Sequence, residues 1–220
     1  MYELIMLPKQ AFLSILDLWV AFYDIPGYLK KYTLKKGDVV IDAGAYLGNF
    51  SKYASERVGE AGKVIAFEPD PENFKKLKQN LIGFKNVILV QKGLFDFDGK
   101  ITLNRNPIFG SLASSVIDNK GSKYSFKISV ATLDNEIKRL GLPSVDFIKM
   151  DIEGAELEAF KGMEQTLDKY HPNLAIACYH LREGKETHIH LKKILSKHYS
   201  EIKIGNLFHK TLFAERRDGL

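Results

Sequence analysis

The sequence predicts an α/β fold built on a doubly wound, mostly parallel sheet of seven strands, one of them antiparallel. Three observations predict it. Short apolar runs typical of buried strands alternate with stretches of helical period. A glycine-containing segment follows the first of these runs, where a strand passes into a helix. Near the C-terminus two strand-like segments flank Gly205-Asn206, which predicts a tight hairpin and therefore one antiparallel strand.

The individual elements follow from hydrophobic periodicity and from turn residues. Core strands are predicted at 38–42, 63–67, 86–90, 145–150, 174–178, 200–204 and 207–214, with a short additional strand at 100–103. Helices are predicted at 11–22, 47–58, 71–81, 132–140, 155–167 and 185–197. The alternation lapses over residues 96–129, where the small polar residues of 107–115 indicate a loop.

Composition narrows the class of protein. A chain of 220 residues with 45% apolar and 27% charged residues is typical of one globular unit. The single cysteine, Cys178, excludes an internal disulfide and a cysteine-rich zinc site. The net charge is +5, but only six of the 32 basic residues are Arg, the side chain best suited to bidentate phosphate recognition. A nucleic-acid partner is therefore not favoured.

The N-terminal region is expected to be a helical extension covering residues 1–35, followed by a ligand-binding domain over 36–220. The apolar stretch 11–22 is interrupted by Asp17 and is too short to span a bilayer. It has no features of a secretory signal. With one cysteine in the chain, these features predict a cytoplasmic protein without a transmembrane segment. The oligomeric state is left open.

The segment Asp42 to Ser51 (DAGAYLGNFS) is the first candidate binding site. Gly44 allows a sharp turn and lets a ligand approach the backbone. Gly48 is predicted to leave the N–H groups of the following helix open to an anionic group. Asp42, at the tip of the strand, is placed to receive an ammonium group or a bound water. The spacing G-x-x-x-G differs from the G-x-G-x-x-G of dinucleotide-binding proteins, which disfavours a dehydrogenase.

The second strand ends in Phe67-Glu68-Pro69-Asp70. Glu68 lies twenty residues after Gly48, the interval at which an acid accepts both hydroxyl groups of a ribose. Asp70 precedes a proline and is the better candidate for the N-cap of the next helix. Beyond the third strand, Gly93 and Leu94 are placed to line an adenine, although Gly93 is equally well explained as a turn residue.

Three carboxylates follow the fourth core strand. Asp151 and Glu153 are predicted to face the crevice, whereas Glu156 is interpreted as an acid in the first turn of a helix. His180 follows the fifth core strand and is a candidate general base, in competition with Asp151 and Glu153. Together the three offer oxygen and nitrogen ligands that suit Mg²⁺ or Mn²⁺. Their spacing matches no recognised ligand set, so a divalent metal is not favoured.

Four motifs together resemble the FkbM family of S-adenosylmethionine (SAM)-dependent methyltransferases. They are DAGAYLGNFS, VIAFEPDPENFKKLKQNL, VATLD and VDFIKMDIEGAELEAFKGM, within residues 38–178. The resemblance implies the class I methyltransferase fold, SAM as cofactor, and SAM contacts by Asp42, Gly44, Gly48 and Glu68. It also implies that Asp151 lies beside the methionine end of SAM. Tyr46 stands where the family often has Asn, and with Pro69 it completes the predicted cofactor site.

The resemblance implies O-methylation of a hydroxyl group on a sugar or another small molecule. Two alternatives are compatible with the fold. An RNA methyltransferase would fit the net charge of +5, but the chain has no Arg-rich stripe. It also has DIEG where many amino-directed nucleic-acid methyltransferases have [DNS]-P-P-[FYW]. A non-catalytic scaffold subunit with this fold is the second alternative, although the intact glycine segment and Glu68 argue against it.

Overall fold

The computed structural model describes residues 25–106, 110–115, 125–182, 184–206 and 210–215. The helices are α1 (Ile25–Tyr28), α2 (Asn49–Val58), α3 (Pro71–Asn80), α4 (Leu133–Leu140), α5 (Glu156–Lys161), α6 (Glu164–Tyr170) and α7 (Thr187–Leu195). The first eight strands are β1 (Val39–Ala43), β2 (Lys63–Phe67), β3 (Val87–Val90), β4 (Gly93–Leu94), β5 (Gly99–Asn106), β6 (Gly110–Ser115), β7 (Ser125–Ala131) and β8 (Phe147–Met150). The remaining strands are β9 (Asn173–Ala177), β10 (Leu181–Arg182), β11 (Lys185–Glu186), β12 (Ile202–Asn206) and β13 (Lys210–Ala214).

The central sheet has seven strands in the order β12-β13-β9-β8-β1-β2-β3. β13 runs antiparallel to both of its neighbours, and the pairs among β9, β8, β1, β2 and β3 are all parallel. The predicted α/β fold, with a mostly parallel seven-stranded sheet and one antiparallel strand, is therefore confirmed. Because β8, β1 and β2 are adjacent and parallel, the residues that follow them meet at one edge of the sheet.

Helices cover both faces of this sheet, as the alternation of side chains along β1 shows. Ile41 belongs to a core cluster that includes residues of α4, α5, α6 and α7. Val40 belongs to a second cluster with residues of α1 and α2. All five residues of β1 are buried because both faces are covered, which explains why this strand is an unbroken apolar run apart from Asp42.

A second sheet of four strands, in the order β4-β7-β5-β6, occupies the region where the alternation lapses. The predicted loop over 107–115 is wrong for residues 110–115, which form β6. β7 was also missed, although Phe126, Ile128 and Val130 alternate with polar residues along it. The reason is that Ile128 and Val130 are buried in a small cluster with Leu103, while the other face of the strand stays polar. Such a half-exposed strand has a weaker apolar signal than the core strands.

Two further boundaries differ from the prediction. The C-terminal hairpin exists, but Gly205 and Asn206 belong to β12, and Asn206 is paired with Lys210. The turn is therefore not formed by Gly205-Asn206. The single helix predicted over 155–167 is two helices, α5 and α6, because the helix is interrupted at Gly162. The carbonyl oxygen of Gly162 accepts a hydrogen bond from the backbone N–H of Asp134 instead.

The predicted N-terminal helix at 11–22 lies outside the described residues. Within the described part of residues 1–35, Ile25, Tyr28 and Leu34 are buried in the cluster that contains α2. Among the helices that the structure describes, none has the length and apolar character needed to span a membrane.

Candidate active site

The predicted site residues gather at the carboxyl ends of β1, β2 and β8. In the register of the sheet, Asp42 on β1 is paired with Ala66 on β2 and with Lys149 on β8. Gly44, Glu68 and Asp151 each lie two positions beyond these paired residues. A side chain on Gly93 would come 3.7 Å from the Cβ atom of Pro69, so the segment after β3 borders the same edge.

Gly44 is required by the close approach of two strand ends. Its φ is +80°, and a Cβ atom there would overlap the backbone carbonyl oxygen of Asp151. The N–H groups of Gly44 and Ala45 both donate to the carbonyl oxygen of Phe67, at 3.1 and 2.9 Å. The first glycine of the segment thus allows the ends of β1, β2 and β8 to meet. Its predicted role in letting a ligand approach the backbone stays a prediction.

Gly48 has a structural explanation that the sequence did not suggest. It is the N-cap of α2 with φ of +91°, and a Cβ atom would lie 2.7 Å from the Cδ1 atom of Leu77. Glycine is therefore needed because α2 begins against the side chains of α3. Its predicted role towards an anionic ligand stays a prediction.

Glu68 holds the glycine segment to the end of β2. The side chain is 5% exposed. One carboxylate oxygen accepts from the backbone N–H of Tyr46 and the other from that of Asp70, both at 2.9 Å. Burial raises the pKa of Glu68 to about 7, although these hydrogen bonds act to lower it. Asp70 accepts from the backbone N–H groups of Glu72 and Asn73, which confirms it as the N-cap of α3.

Asp42 is fully buried and has a partner within the protein. Its carboxylate accepts from Ser51 Oγ at 2.6 Å and lies 3.1 Å from Lys149 Nζ. Lys149 also donates to the carbonyl oxygen of Gly44 at 2.7 Å. The ammonium group beside Asp42 is therefore that of Lys149 and not one of a ligand. A direct contact of Asp42 with a cofactor stays a prediction.

Asp151, Glu153 and His180 come together although 27 residues separate the last two in the sequence. One ligand atom from each lies within 4.8 Å of the others. His180 Nε2 is 3.2 Å from Glu153 Oε2, and His180 Nδ1 is 3.4 Å from Glu156 Oε1. The Tyr28 hydroxyl donates to Asp151 Oδ2 at 2.9 Å. We call these four residues, Asp151, Glu153, Glu156 and His180, the acidic–histidine cluster.

The cluster changes the proton affinity of its members. Burial acts to lower the pKa of His180, but the neighbouring carboxylates of Glu153 and Glu156 outweigh it and raise this pKa to about 10. Burial raises the pKa of Glu153. The neighbouring carboxylates therefore favour the imidazolium form of His180, and burial makes Glu153 a stronger base than an exposed carboxylate.

Three residues of the site were missed or given another role in the sequence. Glu156 lies in the first turn of α5 as predicted, but it is also completely buried and its carboxylate contacts His180. Lys149 could have been noticed as the one charged residue inside the apolar strand FIKM. Tyr28, 1% exposed, lies 123 residues before the carboxylate that it contacts, and no local pattern links the two.

Gly93 and Leu94 form the two-residue strand β4 beside β7. The Leu94 side chain is buried in the main core cluster. Contact of either residue with an adenine therefore stays a prediction, and for Leu94 it would have to come from the backbone.

The chain is similar in sequence to named methyltransferases. Three relatives are methyltransferase sdnD of Sordaria araneosa, hexuronic acid methyltransferase AglP of Haloferax volcanii and 2-O-methyltransferase NoeI of Sinorhizobium fredii. They are 29%, 28% and 29% identical over 60%, 60% and 62% of this chain. The chain spans 62%, 53% and 62% of their respective lengths.

A solved structure, methyltransferase FkbM from Methylobacillus flagellatus, has the same fold. It superposes with a TM-score of 0.60 and 19% sequence identity, and the match covers 90% of this chain and 50% of that one. The model of the methyltransferase FkbM domain matches residues 42–202, which include the glycine segment, Glu68 and the whole acidic–histidine cluster. This match confirms the predicted family, its class I fold and SAM as the cofactor of the family. The chain therefore belongs to the methyltransferase FkbM domain family.

Proposed function

We propose that this chain is a SAM-dependent methyltransferase that methylates a hydroxyl group of a sugar or of another small molecule. One observation supports this proposal most strongly. Glu68, a carboxylate that accepts hydrogen bonds, follows β2, and the carboxylates of the acidic–histidine cluster follow β8. These two strands flank β1 in the same sheet. With strands about 4.8 Å apart, the two strand ends are roughly 10 Å apart. A nucleoside that carries an amino-acid chain can bridge that distance.

The residues present fit SAM. Both oxygens of Glu68 accept one backbone N–H each, and the Asn73 side chain adds a third hydrogen bond. A carboxylate has about four acceptor positions, so one is left for a ribose hydroxyl. Gly44, with no side chain, lets the end of β8 pack against β1, which brings Asp151 to the same edge as Glu68. We assign Asp42, Gly44, Tyr46, Gly48, Glu68, Pro69, Gly93 and Leu94 to the cofactor site, with Asp42 acting through Lys149.

When bound, SAM supplies a methyl group activated by a sulfonium. The acidic–histidine cluster positions the acceptor hydroxyl and takes its proton as the new C–O bond forms and the C–S bond breaks. Glu153 is the proposed base, because burial raises its pKa and because His180 is already protonated. The His180 imidazolium balances the charge of the carboxylates. Asp151, oriented by Tyr28, faces the methionine end of SAM.

The surroundings of the cluster favour a sugar acceptor. Tyr179 is 40% exposed, and its ring centroid lies 4.2 Å from that of His180. An exposed aromatic ring beside the reacting groups offers a surface on which a sugar ring can stack. Two relatives, a hexuronic acid methyltransferase and a 2-O-methyltransferase, agree with this choice.

Transfer of radiolabelled methyl groups from SAM to a panel of neutral sugars, uronic acids and RNA tests the proposal. We expect label in a sugar or uronic acid, and a decrease in kcat of about 100- to 1,000-fold in Glu153→Gln with unchanged SAM affinity. Glu164→Gln, an exposed acid at the start of α6, is the matched control and should retain full activity. Label in RNA alone would favour the RNA methyltransferase. SAM binding without transfer to any acceptor would favour the scaffold subunit.

A further inference from the structure

The ligand types and geometry of the acidic–histidine cluster suit a metal ion. We propose that Asp151, Glu153 and His180 bind a divalent cation of the Mn²⁺ or Mg²⁺ type. The proposal rests on the proposed function, since such a cation would hold the acceptor of the methyl group. One ligand atom from each of the three residues lies within 4.8 Å of the others. Two carboxylates and one imidazole are ligand types that Mn²⁺ accepts and that leave coordination positions open.

The surroundings of His180 are those of a metal-binding histidine. Such residues use one ring nitrogen for the metal and donate the other N–H to a carboxylate. Here Nε2 faces Glu153, and Nδ1 lies 3.4 Å from Oε1 of the completely buried Glu156. Glu156 would therefore orient the ring, with Nε2 directed at the cation. The hydrogen bond from Tyr28 orients Asp151 in the same way.

Unpaired oxygens provide an independent observation. Asp151 Oδ1 and Glu156 Oε2 are buried atoms without a hydrogen-bond partner in the part of the chain that the structure describes. An uncompensated buried carboxylate oxygen is unfavourable. Three carboxyl groups also share one imidazole within the cluster. A cation bound to Asp151 would give its Oδ1 a partner and reduce the excess of negative charge.

A cation at this place selects the chemistry of the acceptor. With three protein ligands, an octahedral ion keeps positions for two adjacent oxygen atoms of a bound molecule. The class of acceptor implied is a vicinal diol or a hydroxy acid, both of which occur in sugars and uronic acids. The cation would take the place of the proton on His180 and would make the coordinated hydroxyl group more acidic. Glu153 would bind the cation through one carboxylate oxygen and accept the hydroxyl proton with the other.

The test is a titration of the full-length protein with Mn²⁺, followed by electron paramagnetic resonance of the free ion. No SAM or acceptor is present, so the result does not depend on activity. We expect one Mn²⁺ per chain. His180→Gln should weaken binding at least tenfold, and Glu156→Gln about tenfold through loss of ring orientation. His198→Gln, which removes a histidine paired with the exposed Asp168, should bind like the unmodified protein.

The outcomes separate this proposal from the proposed function. The metal site is wrong if the protein binds no Mn²⁺ at about 1 mM. It is also wrong if His180→Gln keeps its SAM affinity and binds Mn²⁺ as tightly as the unmodified protein. Methyl transfer that persists in EDTA with no Mn²⁺ bound overturns the metal site and leaves the methyltransferase intact. One bound Mn²⁺ that is lost in His180→Gln supports the metal site even where no methyl transfer is found.

Discussion

Replacement of Glu68 by Gln should weaken SAM binding without unfolding the protein. The carboxylate accepts from the backbone N–H groups of Tyr46 and Asp70 and from the Asn73 side chain, and is proposed to accept a ribose hydroxyl as well. The amide has the same shape but only one acceptor oxygen and no charge. One backbone N–H and at least one ribose hydroxyl would therefore lose an acceptor.

The magnitude follows from the hydrogen bonds that are lost. A hydrogen bond to a charged group contributes about 1.5 to 3 kcal/mol. Loss of one such bond and weakening of another should cost about 2 to 3 kcal/mol, or roughly 30- to 150-fold in the Kd for SAM. The neutral product S-adenosylhomocysteine keeps the ribose and should lose affinity by the same factor.

Isothermal titration calorimetry with both ligands at pH 8 measures this change. Glu72→Gln is the matched control, because Glu72 is an exposed acid four residues further on, in the first turn of α3. Circular dichroism shows whether each variant is folded. If Glu68→Gln binds SAM as tightly as the unmodified protein does, Glu68 is not the ribose ligand and the assignment of the cofactor site is wrong.

The same side chain predicts opposite effects of pH on cofactor affinity and on stability. Burial raises the pKa of Glu68 from 4.5 to about 7 in the folded protein. Since the ionised carboxylate is the better acceptor, SAM affinity should fall as the pH drops below 7, by up to about tenfold per pH unit. The folded state also binds this proton more tightly than the unfolded state. Its contribution to the free energy of unfolding should therefore rise as the pH falls from 7 towards 4.5. Glu68→Gln should remove both trends in paired titrations and urea denaturations.

Three further variants or probes test the surroundings of the site. Gly44→Ala should lower the free energy of unfolding by about 2 kcal/mol more than the control Gly59→Ala, as measured by urea denaturation. Both glycines have a positive φ, but only Gly44 faces a backbone carbonyl. Lys149→Met should lower the free energy of unfolding by about 3 to 5 kcal/mol, because it leaves the buried Asp42 carboxylate without its cation. Adding Asp42→Asn should restore part of this loss. Equal stabilities of the single and double variants would contradict the pairing. Burial raises the pKa of the Cys178 thiol to about 12, so a thiol reagent should label it in urea and not in the native protein.

Most of the central sheet could be predicted because its strands are buried on both faces. β1, β2 and β8 are short apolar runs whose burial requires helices on both sides, and the run itself carries that information. β7 could not be predicted as safely, because a strand with one exposed face has few apolar residues. β6, with the sequence GSLASS, contains a single large apolar residue. The pairing of Asn206 with Lys210 likewise depends on register, which the dipeptide Gly205-Asn206 does not determine.

What the sequence by itself determined is which residues follow each core strand along the chain. A glycine segment after β1, an acid after β2 and carboxylates after β8 are local features, and parallel strands bring them to one edge. The tertiary structure alone decided which side chains pair. It placed Lys149 on Asp42, Glu156 on His180 and Tyr28 on Asp151, across separations that no periodicity spans. Burial is a property of the packed chain, and it is burial that raises the pKa of Glu68 and makes these polar contacts necessary.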